Sequence, residues 1–338
     1  MTTSNKSPYF IIDAHQDIAE NCLHTTGKDF FQKNGLHQGQ NDLGFPVNNQ
    51  SDYFRLREGG VKIVFGVVFS VLIDAQRKFI NDPHLCYQEA KKQLQFYRQM
   101  EQSGKVRIID SEQDLEDVLN TEGLIGLFLL MEGAEGISSN LNELDEFYAM
   151  GLRAVGPVWN LDNVFGGGTN SDQGISEAGI ALLKKMQELG MVLDTAHMNK
   201  VHFHQALSLK PQLVINSHVC AQSLNNIRRN IDDDQIKAIA ELGGVTCVAA
   251  HPSFAADNPT LAGIYDHIMH AVSVAGEDAV GIGSDFDGTS SKVLVDGLSS
   301  ADQFAALREM ILEKQGLKNP EKLFNQNLLR IIKKSLNK

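Results

Sequence analysis

Phe10-Ile11-Ile12-Asp13-Ala14-His15-Gln16-Asp17 places an apolar, strand-like run directly before a histidine and an aspartate. The same arrangement recurs along the chain. Leu124 to Met131 runs into Glu132, Val192-Leu193-Asp194-Thr195-Ala196 into His197, Leu213-Val214-Ile215-Asn216-Ser217 into His218, and Val280-Gly281-Ile282-Gly283-Ser284 into Asp285. Metal-ligand residue types at the ends of five such runs point to parallel strands whose C-terminal ends converge on one centre, where barrel enzymes keep their chemistry.

Outward from these runs, strand candidates fall at 9–14, 61–70, 124–131, 153–158, 190–195, 212–217, 244–250 and 279–284. Most are Val, Ile, Leu and Phe without strict alternation, as buried parallel strands are. Helical stretches lie between them at 86–103, 176–189, 232–241 and 301–314. Ser176 and Gly190 are suited to cap one of these, and Asp232-Asp233-Asp234 to open another. The alternation predicts an α/β fold, a single-domain (β/α)8 TIM-like barrel over 1–338, with an open doubly wound sheet as the competing arrangement. No GxGxxG follows the first strand and no P-loop occurs, so a nucleotide fold lacks support. A long polar segment, about 18–60, follows the first strand; it either walls the active-site face or lies on the surface.

Composition narrows the classes. The 338 residues are 42% hydrophobic, enough for one large core, and carry a formal charge of -12. That charge argues against nucleic acid and anionic membrane as partners. Cys22, Cys86, Cys220 and Cys247 are far apart and form no CxxC pair, which reads as reduced core thiols. Met1 to Ser7 has no apolar run of the secretory kind, no stretch reaches membrane-spanning length, and Ile331 to Lys338 is not a lipid-anchor tail, so a cytoplasmic protein is expected.

The chemistry-bearing residues form a coherent set. His15 and Asp17, at i and i+2 of a strand end, can face one ion, although such a pair also serves as a plain hydrogen bond. Glu132, after eight residues of apolar strand, must be paired or bind a cation; Arg153 is the salt-bridge partner in reach of sequence. His197 and His218 suit zinc. With Glu132 shared, each of two ions receives three protein ligands, and ions about 3.5–4 Å apart can hold a hydroxide between them and polarise a carbonyl. Asp285, in Gly283-Ser284-Asp285-Phe286-Asp287-Gly288, is placed to shuttle a proton, or else belongs to an Asp-x-Asp-Gly turn.

With these residues in place, the chain resembles the membrane (renal) dipeptidases, peptidase family M19, among the amidohydrolase-like metal barrels. The resemblance runs through Ile12 to Asp17, Gly59-Gly60-Val61, Met131-Glu132-Gly133, Gly151-Leu152-Arg153, Gly190 to His197 and Asn216-Ser217-His218. It continues through Arg229 to Asp233, Gly243-Gly244-Val245, Gly281 to Gly288 and Asn327 to Arg330. It implies a zinc-dependent dipeptidase with two Zn2+, His15 and Asp17 on one, His197 and His218 on the other, and Glu132 bridging. Mn or Co would fit the same ligands. It further implies Asp285 as general acid/base, Arg229 as binder of the dipeptide carboxylate, small dipeptides including some with a C-terminal D-residue, and a homodimer. The residues alone leave Arg229 open to a surface salt bridge.

One departure stands out. Where the family carries a histidine near the reacting carbonyl, this chain has Trp159, which donates one N–H and cannot carry a proton. His251 stands where an aromatic residue is expected; it either replaces the missing imidazole in substrate binding or is a polar loop histidine. Trp159 keeps a related amide, N-acyl-amino-acid or lactam hydrolase open as an alternative activity, and a non-catalytic metal-binding barrel remains as a third.

Overall fold

The computed structural model describes residues 9–25, 27–37, 40–44, 47–74, 78–80 and 82–337. The Met1–Ser7 stretch lies outside them, as do Thr26, Gln38, Gly39, Phe45 and Pro46 of the long polar segment and Lys338 at the C-terminus. Eight parallel strands close into a barrel: β1 (Ile11–Gln16), β2 (Val61–Phe69), β3 (Ile125–Glu132), β4 (Leu152–Gly156), β5 (Val192–Asp194), β6 (Val214–Val219), β7 (Val245–Val248) and β8 (Val280–Ile282). Closure rests on two pairings: Asp13 beside Ile282 joins β8 to β1, and Ile63 to Phe69 run in register with Gly126 to Glu132, joining β2 to β3. An open sheet would leave these edges free, so the doubly wound alternative is excluded.

All eight apolar runs are barrel strands. The short parallel strand Val106–Ile108, which pairs with the start of β3, and the antiparallel hairpin Leu72–Ile73 with Phe79–Ile80 were not anticipated. The first is interrupted by Arg107 and stands in no longer apolar run, and two-residue strands carry too little periodicity to be read. Helix ends follow local chemistry. Ser176 Oγ accepts from Gly179 N and Gly190 (φ 72°) closes Glu177–Leu189, while Asp232 and Gln235 form a reciprocal capping box on Asp233–Glu241.

Alternate strand residues fill the barrel. Ile12, Ala14, Ile63, Phe65, Val67, Phe128, Leu130, Ala154, Val192, Ile215, Val245 and Cys247 form one buried cluster that continues into Leu328, Ile331 and Ile332 of the C-terminal helix. The opposite strand faces, including Val64, Val68, Leu127 and Leu129, pack with surrounding helices through residues such as Leu94, Leu182, Ile239 and Ile268. At the crowded β6–β8 end only glycine fits at 283, since a Cβ there would lie 1.7 Å from the Ser217 carbonyl oxygen. Cys86, Cys220 and Cys247 are buried thiols and Cys22 is half-buried.

Described residues of the long segment after β1 pack onto the C-terminal end of the barrel. Its Asn48 to Asp52 stretch is buried, Asn48 donates to the carbonyls of Thr289 and Ser291, and Gln50 accepts from Ala301 N. Further back, His24 joins the helix Ile18–His24 to Glu89 of the helix Pro83–Met100 (2.8 Å) and to Asp42 (3.1 Å). The bond to Glu89 raises the His24 pKa from 6.5 to about 9, with burial opposing and Glu20 and Asp42 adding. This stabilisation is complete below about pH 6.5 and is lost as pH rises through about 9. Melting curves between pH 6 and 10 should therefore show a larger fall in Tm for the wild type than for His24→Gln; equal slopes would remove His24 from the account.

Candidate metal centre

The C-terminal ends of the barrel strands carry every candidate residue except Arg229, which lies in the longer connection after β6. His15 lies near the end of β1, where the register with β2 shifts between Asp13 and Gln16, and Asp17 stands at the start of the following helix without a side-chain cap bond. Glu132 ends β3, His218 is the penultimate residue of β6, and Trp159, His197, His251 and Asp285 follow β4, β5, β7 and β8 by three residues each.

The structure brings six of these side chains together. Ligand atoms of His15, Asp17 and Glu132 lie within 4.8 Å of one another, as do those of Glu132, His197 and His218, and those of His15, His218 and Asp285; all are buried. Glu132 is divided between its neighbours. Its Oε2 is 3.6 Å from His15 Nε2, while Oε1 is 2.7 Å from His197 Nε2 and 3.3 Å from His218 Nε2. The expected alternative partner, Arg153, instead donates to the carbonyls of Tyr148, Leu152 and Asp110.

The donor set fits cations. His15 Nε2 is buried without a hydrogen-bond partner, yet sits 3.6 Å from both Asp17 Oδ2 and Glu132 Oε2. Ligands about 2.0–2.2 Å from a shared tetrahedral ion lie roughly 3.3–3.6 Å apart, so this spacing suits a common ion better than a direct bond. The electrostatics agree. Burial opposes charge on His15, but Glu132 and Asp17 hold its pKa well above the ordinary value, so the position favours a positive charge, as proton or metal ion. Burial would also raise Glu132, but His15 and His197 outweigh it and hold the carboxylate well below its usual range. Burial, with Arg229 adding, lowers His197 to about 4; burial, His15 and Arg229 take His218 well below the usual range. Both are thus neutral imidazoles, the ligand form.

A buried outer layer orients the ring nitrogens. Ser217 Oγ lies 2.7 Å from His218 Nδ1 and 3.2 Å from His15 Nδ1, and donates to Asp194 Oδ2 at 2.6 Å. Asn160 Oδ1 lies 2.9 Å from His197 Nδ1. Asp13, whose pKa burial raises to about 6, accepts from Ser284 N and Oγ and so ties β1 to the Asp285 turn. Sequence reasoning missed these supporting roles, although Ser217 and Asp194 stand within the motifs that carry the histidines.

Asp285 and His197 both adopt left-handed backbone (φ 62° and 64°), a strained conformation in residues other than glycine. Burial pushes the Asp285 carboxyl well above its ordinary pKa; His15 and Arg229 oppose this, and Asp17 and Glu132 reinforce it. Arg229 is not a surface ion pair; its neighbour Arg228 makes that contact, with Asp172. The Arg229 guanidinium lies 4.8 Å from the Phe254 ring centroid, donates to the His218 carbonyl at 2.8 Å, and has a buried Nε with no partner. Trp159 packs edge-on against Phe69 (5.3 Å) and Phe79 (5.4 Å), 5.8 Å from the His197 ring. His251 stacks on Phe254 at 4.0 Å with Nδ1 beside Ser253 Oγ; burial first, then Arg229 and His197, lower its pKa to about 3.

Comparison with known proteins gives the family and the fold. A family model described as membrane dipeptidase (peptidase family M19) matches residues 6–337. An uncharacterized dipeptidase of Schizosaccharomyces pombe is 28% identical over 351 residues, spanning 95% of this chain and 83% of that protein. A Klebsiella pneumoniae protein from the pqqA 5' region is 33% identical over 201 residues, 55% of this chain and 73% of that one. Among solved structures, a Rhodobacter sphaeroides metallo peptidase liganded with a phosphinate mimic of L-Ala-D-Ala superposes with TM-score 0.80 at 22% identity, covering 96% of this chain and 99% of that one. A probable dipeptidase of Pseudomonas aeruginosa gives 0.82 at 18%, covering 98% and 96%. These two likenesses show the fold.

Ser217→Ala should weaken metal binding about 10- to 100-fold, the usual effect of removing such an orienting group, as measured by chelator competition. Unchanged affinity would mean that Ser217 does not orient the imidazoles.

Proposed function

The chain belongs to the membrane dipeptidase family, peptidase family M19, and on that premise we propose that it is a zinc-dependent dipeptidase with two metal ions bridged by Glu132. The observation that carries this reading is the division of Glu132 between His15 on one side and His197 and His218 on the other. His15 and Asp17 would hold one cation, and His197 and His218 the second. Bound there, such cations supply Lewis acidity and lower the pKa of water; Mn or Co would serve through the same donors.

The chain's own groups do the rest. Asp285, within reach of His15 and His218, accepts a proton as water adds to the peptide carbonyl and returns it to the leaving amine nitrogen. Arg229 offers its unpartnered N–H to the dipeptide's terminal carboxylate, a charge-assisted bond. Trp159, with Phe69 and Phe79, walls the substrate, and His251, held neutral, can hydrogen-bond it through Nε2. The ligand of the Rhodobacter sphaeroides peptidase mimics L-Ala-D-Ala, which supports including dipeptides with a C-terminal D-residue among the substrates. Buried unpaired thiols fit a cytoplasmic setting, and the family resemblance favours a homodimer.

Amino-acid release from L,L- and L,D-dipeptides, measured with metal-loaded and chelator-treated protein, tests the reading. Metal-dependent release is expected; none from any dipeptide by metal-loaded protein would redirect the search to N-acyl-amino acids and lactams, the activity that Trp159 keeps in view. Asp285→Asn should lower kcat about 10²- to 10⁴-fold with metal content retained, and Arg229→Met should raise KM about 10- to 100-fold. His251→Ala with turnover equal to wild type would show that His251 does not stand in for an imidazole at the carbonyl.

A further inference from the structure

The turn that carries Asp285 is strained and has to be held. Asp285 and Asp287 both have positive φ (62° and 69°), a conformation that persists in such residues only where the surroundings over-determine it. Part of the restraint comes from β1 and the residue after it: Asp285 N donates to the His15 carbonyl at 3.1 Å and Asp17 N to the Phe286 carbonyl at 3.0 Å. Space is tight, for a Cβ at Gly288 would stand 2.2 Å from Asp285 Oδ1 and 2.6 Å from Asp17 Oδ2. A small movement of this turn therefore alters Asp285 and Asp17 together.

The remaining restraint comes from the long segment after β1, and it converges on one carboxylate. Asp287 Oδ1 accepts from Gln50 N (2.6 Å) and Ser51 N (3.3 Å), and Oδ2 from Ser51 Oγ (2.6 Å) and Lys28 Nζ (2.7 Å). Asp287 N in turn donates to Gln50 Oε1 at 3.2 Å. The Lys28 and Asp287 side chains are 1% and 0% exposed, so their charges compensate each other away from water. Asp287 has four donors on its two oxygens and belongs to none of the metal-ligand clusters found among the described residues.

We propose that Lys28 and Asp287, assisted by Ser51, are positioning residues that lock the 285–288 turn so that the Asp285 carboxyl stays beside Asp17. The segment after β1 is on this account part of the catalytic apparatus. The proposal rests on Asp285 being the proton carrier.

The test compares metal-loaded Lys28→Met, Lys28→Arg and Ser51→Ala with wild type and with Leu144→Ala, a buried truncation in the helix between β3 and β4. Lys28→Met should lower kcat about 10- to 100-fold, the scale of a misplaced catalytic group, with KM and metal content near wild type. Lys28→Arg should recover most of that loss, and Ser51→Ala, the variant to rely on should Lys28→Met not fold, should show a smaller fall in kcat. Unchanged kcat in either folded variant, or an equal fall in Leu144→Ala at matched loss of Tm, overturns the proposal. If wild type hydrolyses no dipeptide, the functional reading fails separately. Metal-loaded crystals of Lys28→Met or Ser51→Ala then decide: a displaced 285–288 turn supports the lock, and an unmoved turn refutes it.

Discussion

Everything at the mouth of this barrel follows from the cost of burying Glu132. A carboxylate at the end of a strand buried along its whole length cannot be left uncompensated. The chain meets it with three imidazoles, from β1, β6 and the residues after β5, rather than with Arg153, which donates to backbone carbonyls instead. Imidazoles differ from a guanidinium in what they can do there, since His197 and His218, held neutral, present lone pairs and His15 can exchange a proton for a metal ion. The result is a buried anion ringed by ligand atoms, an arrangement a cation completes and a salt bridge would have closed.

That choice propagates outward. The rings have to be aimed, so Asn160 and Ser217, the latter held by Asp194, give them fixed hydrogen-bond partners. The acid that works beside them has to be held in a backbone conformation its side chain disfavours, so Asp13 and Asp287 brace the two sides of its turn. The long segment after β1 supplies the last of these braces. Its polar composition suits a wall of the active-site face or the surface alike, and its buried amides and hydroxyl satisfy the Asp287 carboxylate and the carbonyls of the loop beyond it.

The barrel and most of the centre were legible in the residues. Each strand is an apolar run long enough to register, and the ligand types fall at the run ends because parallel strands present those ends to one face. What was not legible depends on distance along the chain or on space. Lys28 and Asp287 are 259 residues apart, and no periodicity links them. The surface ion pair considered for Arg229 belongs to Arg228, because only the turn before Asp232 decides which of the two adjacent arginines faces inward. Val106–Ile108 is interrupted by Arg107 and lies in no longer apolar run, and the room denied at Gly283 and Gly288 exists only once the barrel has closed.

Anomalous diffraction from crystals grown with zinc, recorded on both sides of the zinc edge, tests the central claim most directly. The account predicts two ions per chain, one against His15 and Asp17, the other against His197 and His218, with a Glu132 oxygen on each. A single ion, or two of which only one touches Glu132, would contradict it.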